Sequence, residues 1–304
     1  MPGKQVTELD ALPSFTDNSL LPVHNGAGLK KGLLSQLANY LGKKFSNPNL
    51  LINPNFEINQ RGSTTYTTGY TVDRWKVAGA TLNAKTKTLS NSNSASGTFL
   101  QSLENKPTGT FTVTLNVVSV TGTVKFSWKD GSTYKTGAVI SKGLNTYTFT
   151  ASSLTWVGID IASGASIQLD YMKLEEGSVA THFVMPNKAE ELAKCQYYTV
   201  VFEPWRTTLN ANTDSSVINI DTRCKMRTKP TVSYITLKSG TANQFNFASI
   251  TGGKAYLALK SNNWTTFVDS KGEVIVVNTG IGINSGAFGQ VTFDNSLLLD
   301  AEIY

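Results

Sequence analysis

Histidine and cysteine are almost missing from this chain, with two of each among 304 residues. His24 and His182 lie in different segments. They are too few and too far apart for the cluster that a metal or catalytic centre needs. Cys195 and Cys224 do not make a disulfide scaffold, which takes more cysteines in a shorter chain. Both are expected as buried thiols, the first on a helix and the second on a strand. Charge is scarce as well: 16% of residues, against roughly 25% in ordinary soluble domains. No apolar run reaches the ~18 residues of a membrane span, so no membrane insertion is expected. Residues 1–10 lack the apolar core of a cleavable export signal.

The reagents of catalysis are missing too. There is no P-loop or dinucleotide fingerprint, and no serine in a nucleophile-elbow surround. The adjacent carboxylates Glu175-Glu176 would face opposite ways on a strand and read as a solvated strand end. Asp73 stands beside Arg74 and invites a local ion pair, whereas a Ca²⁺ site needs several oxygens. No catalytic residue, metal or cofactor is therefore expected, and the chain reads as a non-enzyme. The net charge of +6 is scattered. Its densest group, Arg223, Lys225, Arg227 and Lys229, alternates with neutral residues. On a strand it would face one side and reads as a solvated face. Nucleic-acid binders concentrate far more charge, so no nucleic-acid partner is expected.

Ser, Thr, Asn and Gly take the share that charge gives up, as suits β-strands with uncharged outer faces. Residues 49–75 open the β-structure. Pro48 and Pro54 fix their own φ and push the preceding asparagines toward extended backbone. Arg61-Gly62-Ser63 reads as a turn. Tyr70, Val72, Arg74 and Lys76 alternate with Thr71, Asp73, Trp75 and Val77 as in a half-buried strand, with Trp75 packed inside. Beyond it Phe111, Val113, Leu115 and Val117 form one alternating run, and Val124, Phe126 and Trp128 another. Val157, Ile159 and Ile161 form a third. Eight or so short strands without intervening helices predict a sandwich or jelly roll, with a surface loop over 83–97. Asn187 with Glu190 three residues on marks a helix start, and strands resume from about residue 200.

Residues 1–47 differ. Leu9, Leu12, Leu20, Leu21 and Val23 are apolar but interrupted. Leu33, Leu34, Leu37, Tyr40 and Leu41 fall at helical spacing. So short a segment cannot bury these groups alone, and it is expected to dock on a partner or on copies of itself. The fold class is thus mainly β: an N-terminal extended and short-helix attachment segment (1–47), a jelly-roll sandwich (48–185), a linking helix (186–200) and a second, C-terminal β-sandwich (201–304).

An ordered series of motifs resembles a known module. NLLINPNFEINQRG, YTVDRW, MKLEEGSVATHF, EELAKCQYY and MRTKPTVS follow one another from Asn49 onward. The series is similar to bacteriophage tail-fibre and other virion-surface fibre proteins. In these a carbohydrate-binding-type jelly roll is followed by a short helix and a terminal β-domain. Thr7-Glu8-Leu9 and the run from Asp17 to Val23 resemble the attachment segments of such fibres. The resemblance implies a virion location, docking to other tail or head proteins through residues 1–47, a homotrimer, and a host-surface glycan or protein receptor. A head-decoration or adaptor role without its own receptor remains the alternative. A polysaccharide depolymerase would need a longer repetitive β-helix.

Sugar binding needs exposed aromatics that stack on pyranose faces, with amides or carboxylates beside them. Trp128, Trp156, Trp205, Trp264, Tyr134 and Tyr66 are the candidates. Trp128 shares the phase of Val124 and Phe126 and belongs in the core. Trp156 is out of phase with Val157, Ile159 and Ile161 and should point outward. Trp264 sits in an Asn-rich, loop-like setting. Trp156, Trp264 and Tyr134 are the ligand-contact candidates.

Overall fold

The computed structural model describes residues 46–202, 226–228, 230–235 and 296–303, together with the backbone of strands in the remainder. The first of these are β1 (Leu20–His24) and β2 (Leu29–Leu33), an antiparallel hairpin in which Leu20 faces Leu33. Leu20, Leu21, Val23 and Leu33 therefore lie on paired strands. For Leu33 this corrects the expected helix. The Leu-rich spacing that suggested one begins on a residue whose backbone is already engaged by Leu20. Leu9, Leu12 and Leu37 lie outside the described residues.

Twelve strands then build a sandwich. They are β3 (Thr65–Tyr66), β4 (Gly69–Tyr70), β5 (Lys76–Ala78), β6 (Thr81–Asn83), β7 (Thr88–Ser90) and β8 (Gly97–Ser102), followed by β9 (Gly109–Thr121), β10 (Val124–Asp130), β11 (Thr133–Val139), β12 (Gly143–Ala151), β13 (Leu154–Ile161) and β14 (Ser166–Glu176). One six-stranded sheet runs β11-β10-β13-β8-β5-β4 and the other β12-β9-β14-β7-β6-β3. Every pairing within them is antiparallel. The alternating runs supply the inner faces. Phe126 and Trp128 from one sheet meet Phe149 from the other, with Trp128 and Phe149 centroids 4.7 Å apart. Trp75 stacks on Phe99 at 4.9 Å and takes an edge contact from Phe56. The expected loop over 83–97 is broken by β7, whose Leu89 is fully buried. Residues 92–96 are its longest exposed run.

Residues 71–75 are not strand. The chain turns there, with Arg74 at φ 72°, so Val72, Asp73, Arg74 and Trp75 are all buried. A turn sealed from both sides has no solvent face, and alternation is the wrong template for it. Asn53 organises the turn. It holds φ 54°, a left-handed conformation that Asn tolerates better than most residues. Its side chain donates to the carbonyls of Ile58 and Asp73 and accepts from the Ile58 N–H. Its carbonyl takes the Trp75 indole N–H at 2.9 Å.

Helix α1 (Lys188–Gln196) follows, capped by the Asn187 side chain on the N–H groups of Ala189 and Glu190. Its buried residues are Glu191 and Cys195. Glu191 reaches the Asn53 N–H at 2.6 Å, which explains an acid on the buried face. Burial pushes the Cys195 thiol up in pKa, as suits an inert core group. Cys224 lies outside the described residues. Beyond α1, the backbone forms a three-stranded sheet, in which Ser296–Asp300 runs between Thr199–Phe202 and Thr231–Ile235, and a seven-stranded sheet.

Candidate functional site

Antiparallel pairing lines up the outer face of the β11-β10-β13-β8 sheet. Tyr134 stands opposite Lys129, and Lys129 opposite Trp156. One step along, Ser127 stands opposite Gly158, and two steps along Lys125 stands opposite Asp160. Side chains alternate across a strand. With Phe126, Trp128, Val157 and Ile159 committed to the core, the intervening residues point out. Trp156 and Tyr134, two of the three expected ligand-contact residues, meet here with ring centroids 5.5 Å apart and a 52° tilt. Tyr134 is 44% exposed. Its hydroxyl donates to Asp160 Oδ2 at 2.7 Å. Burial first, then this bond, push its pKa up to about 12. The hydroxyl therefore stays a proton donor. Gly158 keeps the floor between the rings low, because a Cβ there would come 2.1 Å from the Phe99 carbonyl oxygen. The result is a shallow platform of two aromatic faces, a carboxylate and lysine ammonium groups.

The opposite sheet carries a second concavity of about 310 Å³, lined by Thr114, Leu144, Thr146, Tyr171, His182 and Phe183 among others. The sequence reading did not single it out. Phe183 lies flat on Tyr171 at 3.9 Å, carried there by the strap of residues 177–187 that crosses the outer face. Beneath the strap Lys173 and Glu175 form an ion pair at 3.2 Å, both fully buried. Lys173 Nζ donates to Thr181 Oγ1 and the His182 carbonyl, and Glu175 accepts from the Thr181 N–H and hydroxyl. Glu175 is therefore not a solvated strand end, whereas Glu176 is exposed. The His182 side chain is exposed.

A third polar cluster is sealed between the sandwich and the residues that follow strand Ser296–Asp300. Arg61 reaches Thr199 Oγ1 at 3.0 Å, Asp300 at 3.3 Å and Asp73 at 3.8 Å. Arg74 pairs with Glu302 and donates to the Ser102 carbonyl. Its guanidinium lies 3.6 Å over the Tyr198 ring. Asp73 accepts from the Gln60 N–H and amide. Burial dominates its environment and pushes its pKa up to about 6. These are architectural contacts. The local pairing expected of Asp73 is with Arg61 and Gln60 rather than Arg74.

The other sequence candidates fall elsewhere. Trp128 is core. Tyr66 is half-buried, with its hydroxyl on Asn59 at 2.6 Å. Trp264 opens a strand opposite Asn278, which corrects the loop-like placement. Trp205 lies outside the described residues. Of the basic group near residue 226, Arg227 sits in a bend and binds the carbonyls of Ala301 and Glu302. It is not on a strand face, and Arg223, Lys225 and Lys229 lie outside the described residues. Among the described residues no group of His, Cys, Asp and Glu could hold a metal.

No protein-family model matches the chain, and no curated protein matches it. Among solved structures it matches TmCBM61 in complex with beta-1,4-galactotriose, at 16% identity and a TM-score of 0.25, over 43% of this chain and 99% of that one. The sandwich assignment rests on the chain's own strand order and registers.

Proposed function

We propose that this chain is a non-enzymatic binding protein whose sandwich attaches to carbohydrate through the Tyr134–Trp156–Asp160 platform. The observation that carries the reading is the pairing of two outward aromatic rings, 5.5 Å apart, with a carboxylate fixed at their edge by the Tyr134 hydroxyl. Aromatic faces stack on the C–H faces of sugar rings, and a carboxylate takes their hydroxyls. The ordered motif series from Asn49 supports a wider assignment. In it the chain is a bacteriophage surface fibre or spike, working on the virion and made in the host cytoplasm. Residues 1–47 dock to other virion proteins, the C-terminal strands close as a second sandwich, and three chains share an axis.

Glycan-array and host-cell binding by the purified full chain test the first part. Binding that falls at least ~10-fold in Trp156→Ala is expected, since aromatic contacts dominate binding energy. Reproducible absence of binding would favour a head-decoration or adaptor role. For the wider assignment, a solution mass of three chains is expected, and deletion of residues 1–47 should abolish incorporation into particles. Incorporation of the truncated chain would refute the anchor.

A further inference from the structure

Resting on that reading of the platform, we propose that it selects acidic oligosaccharides, those bearing carboxylate or sulfate groups, over neutral ones. The outer face carries a surplus of positive charge. Lys125, Lys129 and Lys76 share it with one carboxylate, Asp160, in the registers that join β10, β13, β8 and β5. Asp160 is already engaged by the Tyr134 hydroxyl. Lys76 lies 5.9 Å over the Tyr70 ring. Among the described residues no carboxylate lies within ion-pair distance of Lys125 or Lys129, although other lysines on the sandwich, Lys135 and Lys173, are paired. Both are half-buried, so their stems are held against the sheet while the ammonium groups point to solvent.

Lys129 is central. It stands between Tyr134 and Trp156 in the register, so a sugar ring resting on either aromatic brings its substituents over that ammonium. Lys125 is four residues away along the same strand, about 14 Å at the rise of an antiparallel strand. An oligosaccharide with repeated acidic groups spans both lysines, and a monosaccharide reaches only one. A neutral glycan would leave the Lys129 ammonium partly desolvated and without a counter-charge, whereas Lys125 faces Asp160 across the strand pair.

The test is titration of the full chain with three acidic probes: trigalacturonate, an oligosialic acid and a chondroitin sulfate tetrasaccharide. Each is compared with its neutral form, carboxyl-reduced and, for the last, desulfated. At least one acidic probe is expected to bind ~10-fold or more tightly than its neutral form, the size of one or two charge-assisted contacts. Its affinity should fall as salt is raised. Lys129→Gln should weaken the acidic probe about fivefold and so narrow the gap between the acidic and neutral forms. Lys129→Arg should keep the preference, which guards against a folding defect. Equal affinity for acidic and neutral forms overturns the proposal and leaves the glycan platform standing. Absence of binding by all six probes, repeated on a broad glycan array, overturns both.

Discussion

Replacing Asp73 by Asn should change how stability depends on pH. Asp73 is fully buried, and burial holds its pKa near 6 against an ordinary 3.8. Below about pH 4 its carboxyl is protonated both in the folded and in the unfolded chain. Between there and pH 6 the unfolded chain gives up the proton while the folded chain keeps it. Above pH 6 the folded chain holds a buried carboxylate that the unfolded chain would leave in water. Asp73 therefore lowers stability progressively as pH rises through this window. At about 1.4 kcal/mol per pKa unit the loss amounts to roughly 3 kcal/mol. Asn carries no charge at any of these pH values, and its altered hydrogen bonds with Gln60 add an offset that does not vary with pH. The stability of Asp73→Asn minus that of the native chain should thus increase by about 3 kcal/mol between pH 4 and pH 7.5. Urea denaturation of both proteins at four or five pH values measures this difference, and other titrating groups cancel in it. A flat difference, or one that falls with pH, would mean that Arg61, 3.8 Å away, outweighs burial, and the account of this cluster would be wrong.

Other perturbations have expected outcomes. Trp75→Ala removes the ring stacked on Phe99 and the indole bond to Asn53, and should cost about 3–5 kcal/mol in thermal or chemical denaturation. Lys173→Met leaves the buried Glu175 without its ion-pair partner beneath the strap; a loss of about 3 kcal/mol and faster protease cleavage within 177–187 should follow. Gly158→Ala places a Cβ 2.1 Å from the Phe99 carbonyl oxygen and should destabilise by about 1–3 kcal/mol. Leu144→Ser changes a side chain that is 66% exposed and should shift stability by less than about 0.5 kcal/mol.

The sequence made some of this legible because the signals were local. Phase along one strand is enough to send Trp156 outward, and Asn187 with Glu190 marks the helix start. Lys129 and Asp160 escaped notice for the same reason. On its own strand each looks like an ordinary solvated residue, and only the pairing of β10 with β11 and β13 brings them beside the aromatics. Glu175 shows a different limit. Its outward direction is readable, but the strap residue that binds it, Thr181, comes six positions on, with no regular structure to announce it. Residues 71–75 show a third limit. Their alternation imitates a strand because a sealed turn also needs apolar side chains, here on both sides. The acids that pair with Arg61 and Arg74 lie 239 and 228 residues away, a separation that no window of sequence reveals.

That separation also sets an order of events during synthesis. Arg61 and Arg74 leave the ribosome long before Asp300 and Glu302. At roughly 5–20 residues per second the interval is about 10–50 seconds. Through it the nascent sandwich holds two guanidinium groups and Asp73 at a surface that is still wet. A nascent chain halted before residue 300 keeps them so, with two positive groups facing one negative. Its half-finished face carries a positive surplus that the completed protein replaces with a slight negative one, so a charge-sensitive probe could tell stalled chains from finished ones.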